Sequence, residues 1–139
     1  KKIKEKVKKF YQYDIASQSS FHKQVPNYSS LQKVKKIYKL KTSTFDKIFN
    51  KNLKIDFCKI DAQGEDFNIL KGMQNNLKKG NIKLLKVEIC FPRMYKSSGK
   101  SYLQILNFLD KLNYSLISIS KIKYIKNELL FMDVFFKKN

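Results

Sequence analysis

Three carboxylates stand where a protein does chemistry with protons. Asp61 ends the apolar run Ile55 to Ile60, Glu65 follows Gly64 at the start of a helical pattern, and Glu88 sits inside a second apolar run, Leu84 to Cys90. A carboxylate at a strand end can orient a substrate hydroxyl or take its proton. Plainer duties compete with that chemistry. An Asp just before a helix caps it, a Glu in the first turn stabilises the macrodipole by about 0.3–1 kcal/mol, and Glu88 could pair with a lysine. An unpaired carboxylate within a strand is costly, so a Glu there calls for a reason. His22, the single histidine, lies in a polar stretch and reads as a surface residue. Cys58 and Cys90 read as small buried hydrophobes on adjacent strands rather than as nucleophile or metal ligands.

Those acids are scarce. The 139 residues hold 30 Lys plus Arg against 11 Asp plus Glu, a formal net charge of +19. Such a charge first suggests a nucleic acid or an acidic membrane surface. However, Arg93 is the sole arginine, whereas phosphate recognition favours the planar, bidentate guanidinium, and the lysines are spread along the chain. A nucleic-acid partner is therefore not expected, and the charge reads mainly as a solubility feature. The 42% hydrophobic and 14% aromatic content suffices for a core and argues against disorder. No apolar run approaches the roughly 20 residues that span a bilayer. The basic start lacks the apolar stretch of a signal peptide. Isolated cysteines without such a signal fit a reducing, cytoplasmic setting.

One domain over residues 1–139 is expected from the length. Ile3, Val7 and Phe10 have helical spacing, Tyr11 to Ala16 reads as a short strand, and Ser17 to Ser30 as a loop. Ile37 to Lys41 reads as a strand, Thr44 as the N-cap of a helix opening at Phe45, and Ile55 to Ile60 as a strand. Phe67, Leu70, Met73 and Leu77 predict one helix ended by Gly80. After the strand 84–90 and a polar loop that includes Tyr95 and Gly99, Leu103, Leu106, Leu109 and Leu112 predict another. Tyr114–Ile119 and Leu129–Phe136 read as two antiparallel strands joined by the segment 120–128. Alternating strands and helices imply an α/β fold with a mainly parallel sheet ending in that antiparallel pair. Ligands of such a sheet bind outside the carboxyl ends of its strands, where Asp61 and Glu88 fall.

The stretch 55–72, IDFCKIDAQGEDFNILKG, resembles the most recognisable part of the FkbM-type methyltransferases: a hydrophobic strand, K-I-D-x-x-G-x-E or a close variant, then x-x-x-L-x-G. Lys59, Ile60, Asp61, Gly64, Leu70 and Gly72 match, and either Glu65 or Asp66 supplies the following acid. Lys41 to Asp46 resembles the family's V-x-T-x-T-L-D entry, with Phe45 in place of Leu. Val87-Glu88-Ile89 resembles its next strand, and Leu130 to Phe136 its closing one. The likeness spans residues 34–136 and leaves 1–33 unassigned. It implies a Rossmann-like class I methyltransferase fold that uses S-adenosylmethionine to methylate a hydroxyl of a sugar or other small metabolite. Asp61, Glu65 and Glu88 are then the catalytic candidates, and Asp14, Asp61 and Gly64 the cofactor-binding ones, with Asp14 approaching the adenine. Two strand-end acids would alternatively suit Mg²⁺. The glycine-rich cofactor turn of such folds would precede Asp61, yet Gly64 is the first glycine. The chain therefore reads as the C-terminal portion of a methyltransferase domain. A non-catalytic basic module that binds an anionic polymer is the alternative.

Overall fold

The structure, a computed structural model, describes residues 6–24, 33–49, 53–91 and 101–139. The elements run β1 (Lys6–Tyr13), a 3-10 turn (Ala16–Gln18), β2 (Val34–Thr42), α1 (Phe45–Ile48), β3 (Ile55–Ile60), α2 (Asp66–Gly72), α3 (Gln74–Lys78), β4 (Ile82–Cys90), α4 (Ser101–Asp110), β5 (Tyr114–Ile125) and β6 (Glu128–Lys138). Ile3 and the loop with Tyr95 and Gly99 lie outside the described residues.

The mainly parallel sheet expected from the alternation of elements is not what forms. A four-stranded sheet has the order β3-β4-β6-β5, while β1 and β2 make a separate two-stranded one. Only β3 and β4 pair in parallel; β6 lies antiparallel to both β4 and β5. The reason is local. A parallel neighbour needs a long crossover, and α2–α3 provides one between β3 and β4. Lys126 and Asn127, both with positive φ (49° and 62°), close instead a two-residue hairpin that folds β6 straight back along β5. β6 thereby takes the place beside β4. The segment 120–128 is thus mostly strand, with only this turn between β5 and β6.

The helical spacing at Val7 and Phe10 is likewise overruled. These residues lie in β1, where Phe10 faces Tyr38 and Tyr11 faces Ile37 across the antiparallel ladder. Aromatic and β-branched cross-strand pairs favour that arrangement.

Leu85, Val87 and Ile89 point from one face of β4 and are fully buried with Leu70, Leu77, Ile105, Leu109, Val134 and Phe136. In α4 the buried pair is Ile105 and Leu109, whereas Leu103 of the expected leucine stripe is 49% exposed. Steps of three residues fall about 60° short of a full turn, so the stripe leaves the core at its first member while Leu106, Leu109 and Leu112 stay in or against it. Tyr114, also buried, donates its hydroxyl to the Ile82 carbonyl at 2.6 Å. Burial pushes this phenol up to about 12.

The single helix expected across 67–77 divides at Met73 (φ −114°, ψ 13°). Asp46 explains how the break is tolerated. Its carboxylate accepts the backbone N–H of Asn75 at 2.8 Å and of Asn76 at 3.1 Å, and the Asn76 side-chain amide at 2.6 Å. These amides open α3 and have no partner within it. Asp46→Ala is expected to cost about 1–2 kcal/mol, measured as a shift of the urea midpoint with unchanged slope. Thr44 precedes α1 as expected but makes no side-chain capping bond.

Candidate functional site

The turn from β3 into α2 carries the candidate acids. Gln63 (φ 50°) and Gly64 (φ 95°) both take left-handed backbone conformations, which suits a glycine and strains a glutamine. Asp66 holds the turn in shape: Oδ1 accepts the Ala62 N–H at 3.0 Å and Oδ2 the Gly64 N–H at 3.1 Å. Ser20 adds a clasp from outside, donating its hydroxyl to the Gln63 carbonyl at 2.7 Å. The two consecutive acids therefore diverge. Asp66 is buried and satisfies backbone, and its pKa is raised by burial despite those bonds. Glu65 turns toward the β1–β2 hairpin.

Glu65 is 7% exposed and lies among three donors. Lys8 Nζ sits 2.8 Å from both carboxylate oxygens, His22 Nε2 is 3.0 Å from Oε1, and Asn68 donates to Oε2 at 2.9 Å. Burial acts to raise its pKa, but hydrogen bonds from His22, Lys8 and Asn68 outweigh it and hold the carboxyl near about 2. Such a group is a poor proton acceptor at neutral pH and a strong anchor. His22, read from sequence as a plain surface residue, is thus half-buried at this anchor.

Asp61 and Glu88 come together as their strand positions imply. Both lie at the carboxyl edge of β3 and β4, and the Gln63 amide donates to Asp61 Oδ1 at 3.0 Å and to Glu88 Oε2 at 3.2 Å. Asp61 also pairs with Lys59 at 2.9 Å. Burial pushes its pKa up, and the bonds from Lys59 and Gln63 more than reverse this, leaving it below the usual carboxylate value. Glu88 has the opposite fate. It is 4% exposed, and burial, reinforced by Asp61 and Asp66, pushes its carboxyl up to about 7. Asp133, its cross-strand partner, forms an ion pair with Lys86 at 2.8 Å. Five of the chain's 11 acids, Asp61, Glu65, Asp66, Glu88 and Asp133, thus gather around one sheet edge of a strongly basic protein.

Two of them, Asp61 and Glu65, line a cleft of about 1240 Å³. Asp61, Gln63 and Glu65 form its polar end. Phe10, Phe21, Phe45, Ile48, Phe49 and Ile69 supply apolar wall, and Ser17, Ser19, Thr42, Ser43 and Thr44 supply hydroxyls. The V-x-T-x-T-L-D-like stretch and the Asp61 motif, distant in sequence, meet here. Gly72 is part of that meeting, since a Cβ built on it would touch Thr44 at 3.6 Å. Asp14 is not in the cleft lining; it is exposed and faces Lys35 at 3.7 Å. Cys90, buried behind the site, approaches Glu88 at 3.5 Å, and burial raises its thiol pKa far from a reactive value. Among the described residues, no three His, Cys, Asp or Glu side chains converge to hold a metal ion.

A family model, the methyltransferase FkbM domain, matches residues 2–116. The chain belongs to the FkbM methyltransferase family. The match begins well before the 34–136 span of the sequence likeness, so most of 1–33 is family sequence too. The hairpin and its Lys8–Glu65–His22 anchor accordingly belong to the methyltransferase domain rather than to an unrelated leader. No curated protein and no solved structure gives a significant match. Among the described residues no helix is long and apolar enough to cross a membrane.

Gln63, Lys8 and His22 went unnoticed as site residues in the sequence. Gln63 had a signal, because it stands between two motif positions, Asp61 and Gly64. Lys8 and His22 had none, being 57 residues from Glu65 in the first case and 43 in the second.

Proposed function

We propose that this FkbM-family chain takes part in S-adenosylmethionine-dependent O-methylation of a sugar or other small-metabolite hydroxyl, with Asp61 as the acceptor-handling carboxylate. The observation that carries this reading is the Asp61–Gln63–Glu88 arrangement beside a cleft with apolar and hydroxyl-bearing walls. The cleft's volume and its mixture of aromatic and polar lining suit an adenosyl group or an acceptor ring. S-adenosylmethionine, when bound, supplies an electrophilic methyl group.

Asp61 is ionised at neutral pH and reaches the cleft, so it can accept a hydrogen bond from a substrate hydroxyl and hold its oxygen in line for displacement. As the oxygen loses its proton in the transition state, the same carboxylate can receive it. Gln63 fixes the carboxylate's direction. Glu88, one layer behind, keeps a proton near neutral pH and so limits negative charge at the edge. Glu65 holds Lys8 and His22 and thereby keeps the hairpin wall in place, a positioning duty rather than a catalytic one.

The test is transfer of a labelled methyl group from S-adenosylmethionine to a panel of hydroxylated acceptors. Asp61→Asn is expected to lower kcat about a hundredfold while leaving the far-ultraviolet circular dichroism unchanged. Unaltered turnover in this variant would remove Asp61 from the mechanism, and absence of labelled product with every acceptor would count against the reading as a whole.

A further inference from the structure

The β1–β2 hairpin has two faces. Alternation places Lys8, Phe10 and Thr42 toward the cleft and Val7, Lys9, Tyr11, Ile37 and Lys39 on the other side. On that outer side Lys9 is the direct cross-strand partner of Lys39. Like charges placed directly opposite each other destabilise a ladder. Lys41, opposite Val7, and Lys23, 5.7 Å from the Tyr11 ring, add further ammonium groups, and among the described residues neither strand carries an acid. Val7 and Ile37, 67% and 53% exposed, sit between the lysines.

We infer that this outer hairpin face docks on an anionic lipid bilayer surface. Charge complementarity calls for an anionic partner that neutralises the Lys9–Lys39 pair. The aliphatic side chains decide which kind. Val7 and Ile37 gain from entering the headgroup region of a bilayer, whereas a nucleic acid offers them little. Recognition of nucleic-acid phosphates also favours arginine, and this face has only lysine, which works as a point charge attracted by a negative lipid surface. A methyltransferase held in this way keeps its cleft on the opposite face of the same hairpin, free to meet acceptors.

Vesicle co-sedimentation with the full chain tests the inference. Vesicles containing phosphatidylserine are expected to bind at low salt and to lose binding as salt rises, and pure phosphatidylcholine vesicles to bind weakly. Lys9→Gln and Lys39→Gln should each lower the partition coefficient roughly fivefold, and Val7→Ser with Ile37→Ser should lower it further. Lys111→Gln, an exposed lysine elsewhere, should change it by less than about twofold. Because either Lys9→Gln or Lys39→Gln relieves a repulsive pair, the melting temperature of each variant should equal or exceed that of the parent, which separates lost docking from lost folding. The inference is overturned if phosphatidylserine vesicles do not bind, if Lys111→Gln weakens binding as much as Lys9→Gln, or if a duplex DNA binds more tightly than the vesicles.

Discussion

Glu88→Gln is expected to make the protein more stable at pH 8 by about 3 kcal/mol and to leave it nearly unchanged at pH 4. Glu88 is 4% exposed, and burial together with Asp61 and Asp66 raises its carboxyl to about 7 from an ordinary 4.5. Between those values the folded state keeps a proton that the unfolded chain has released. Stability therefore falls as pH rises from about 4.5 to about 7, and levels off above. That interval corresponds to about 3 kcal/mol. A glutamine keeps an acceptor for the Gln63 amide and cannot ionise, so this share of the pH dependence should vanish. Urea unfolding of both proteins at pH 4, 6 and 8 measures it. Parallel pH profiles would mean that Glu88 is an ordinary acid, and the ordering of protonation states proposed for the Asp61 edge would fail with it.

The Glu65→Ala variant should show the reverse dependence. The parent carboxyl is held near about 2, so the unfolded chain takes up a proton first as pH falls, and the stabilisation present above about 4.5 is lost progressively toward 2. At pH 7 the substitution should cost about 3 kcal/mol, because Lys8 is left half-buried without its counter-ion and His22 loses its partner at Glu65. Near pH 2 the two proteins should converge. Thermal unfolding at pH 7 and at pH 2.5 gives the comparison, and an equal difference at both would show that Glu65 acts through packing instead of charge. Hydrogen exchange in β1 should rise in the variant, since Lys8 ties that strand to α2.

Local pattern in the sequence was enough for β3, which runs Ile55–Ile60 as read, and for Gly80 as the helix terminator after α3, where φ is 66°. It was also enough to put Asp61 and Glu88 at one sheet edge, because strand direction follows from a βαβ crossover and side-chain direction from alternation. Periodicity misled where packing decides. The helical spacing near Phe10 is a pattern of few residues, and cross-strand pairing with Tyr38 outweighs so weak a preference; in α4 the leucine stripe holds at Leu106, Leu109 and Leu112, and Ile105 takes the buried place where Leu103 turns outward.

What the sequence determined by itself, then, is the family-defining turn, the chemistry available on it and the scarcity of acids in a basic chain. Which acid does what was left to the tertiary structure. Glu65 and Asp66 are neighbours with almost the same chemistry, yet one is held by the Lys8 ammonium of a distant strand together with His22, and the other by backbone amides of its own turn. Asp61 and Glu88 share a glutamine, yet Lys59 and burial push their proton affinities apart. A carboxylate's role depends on desolvation and on the charges within a few ångströms, and those are set by chain segments that meet only once the hairpin, the turn and β4 have folded together.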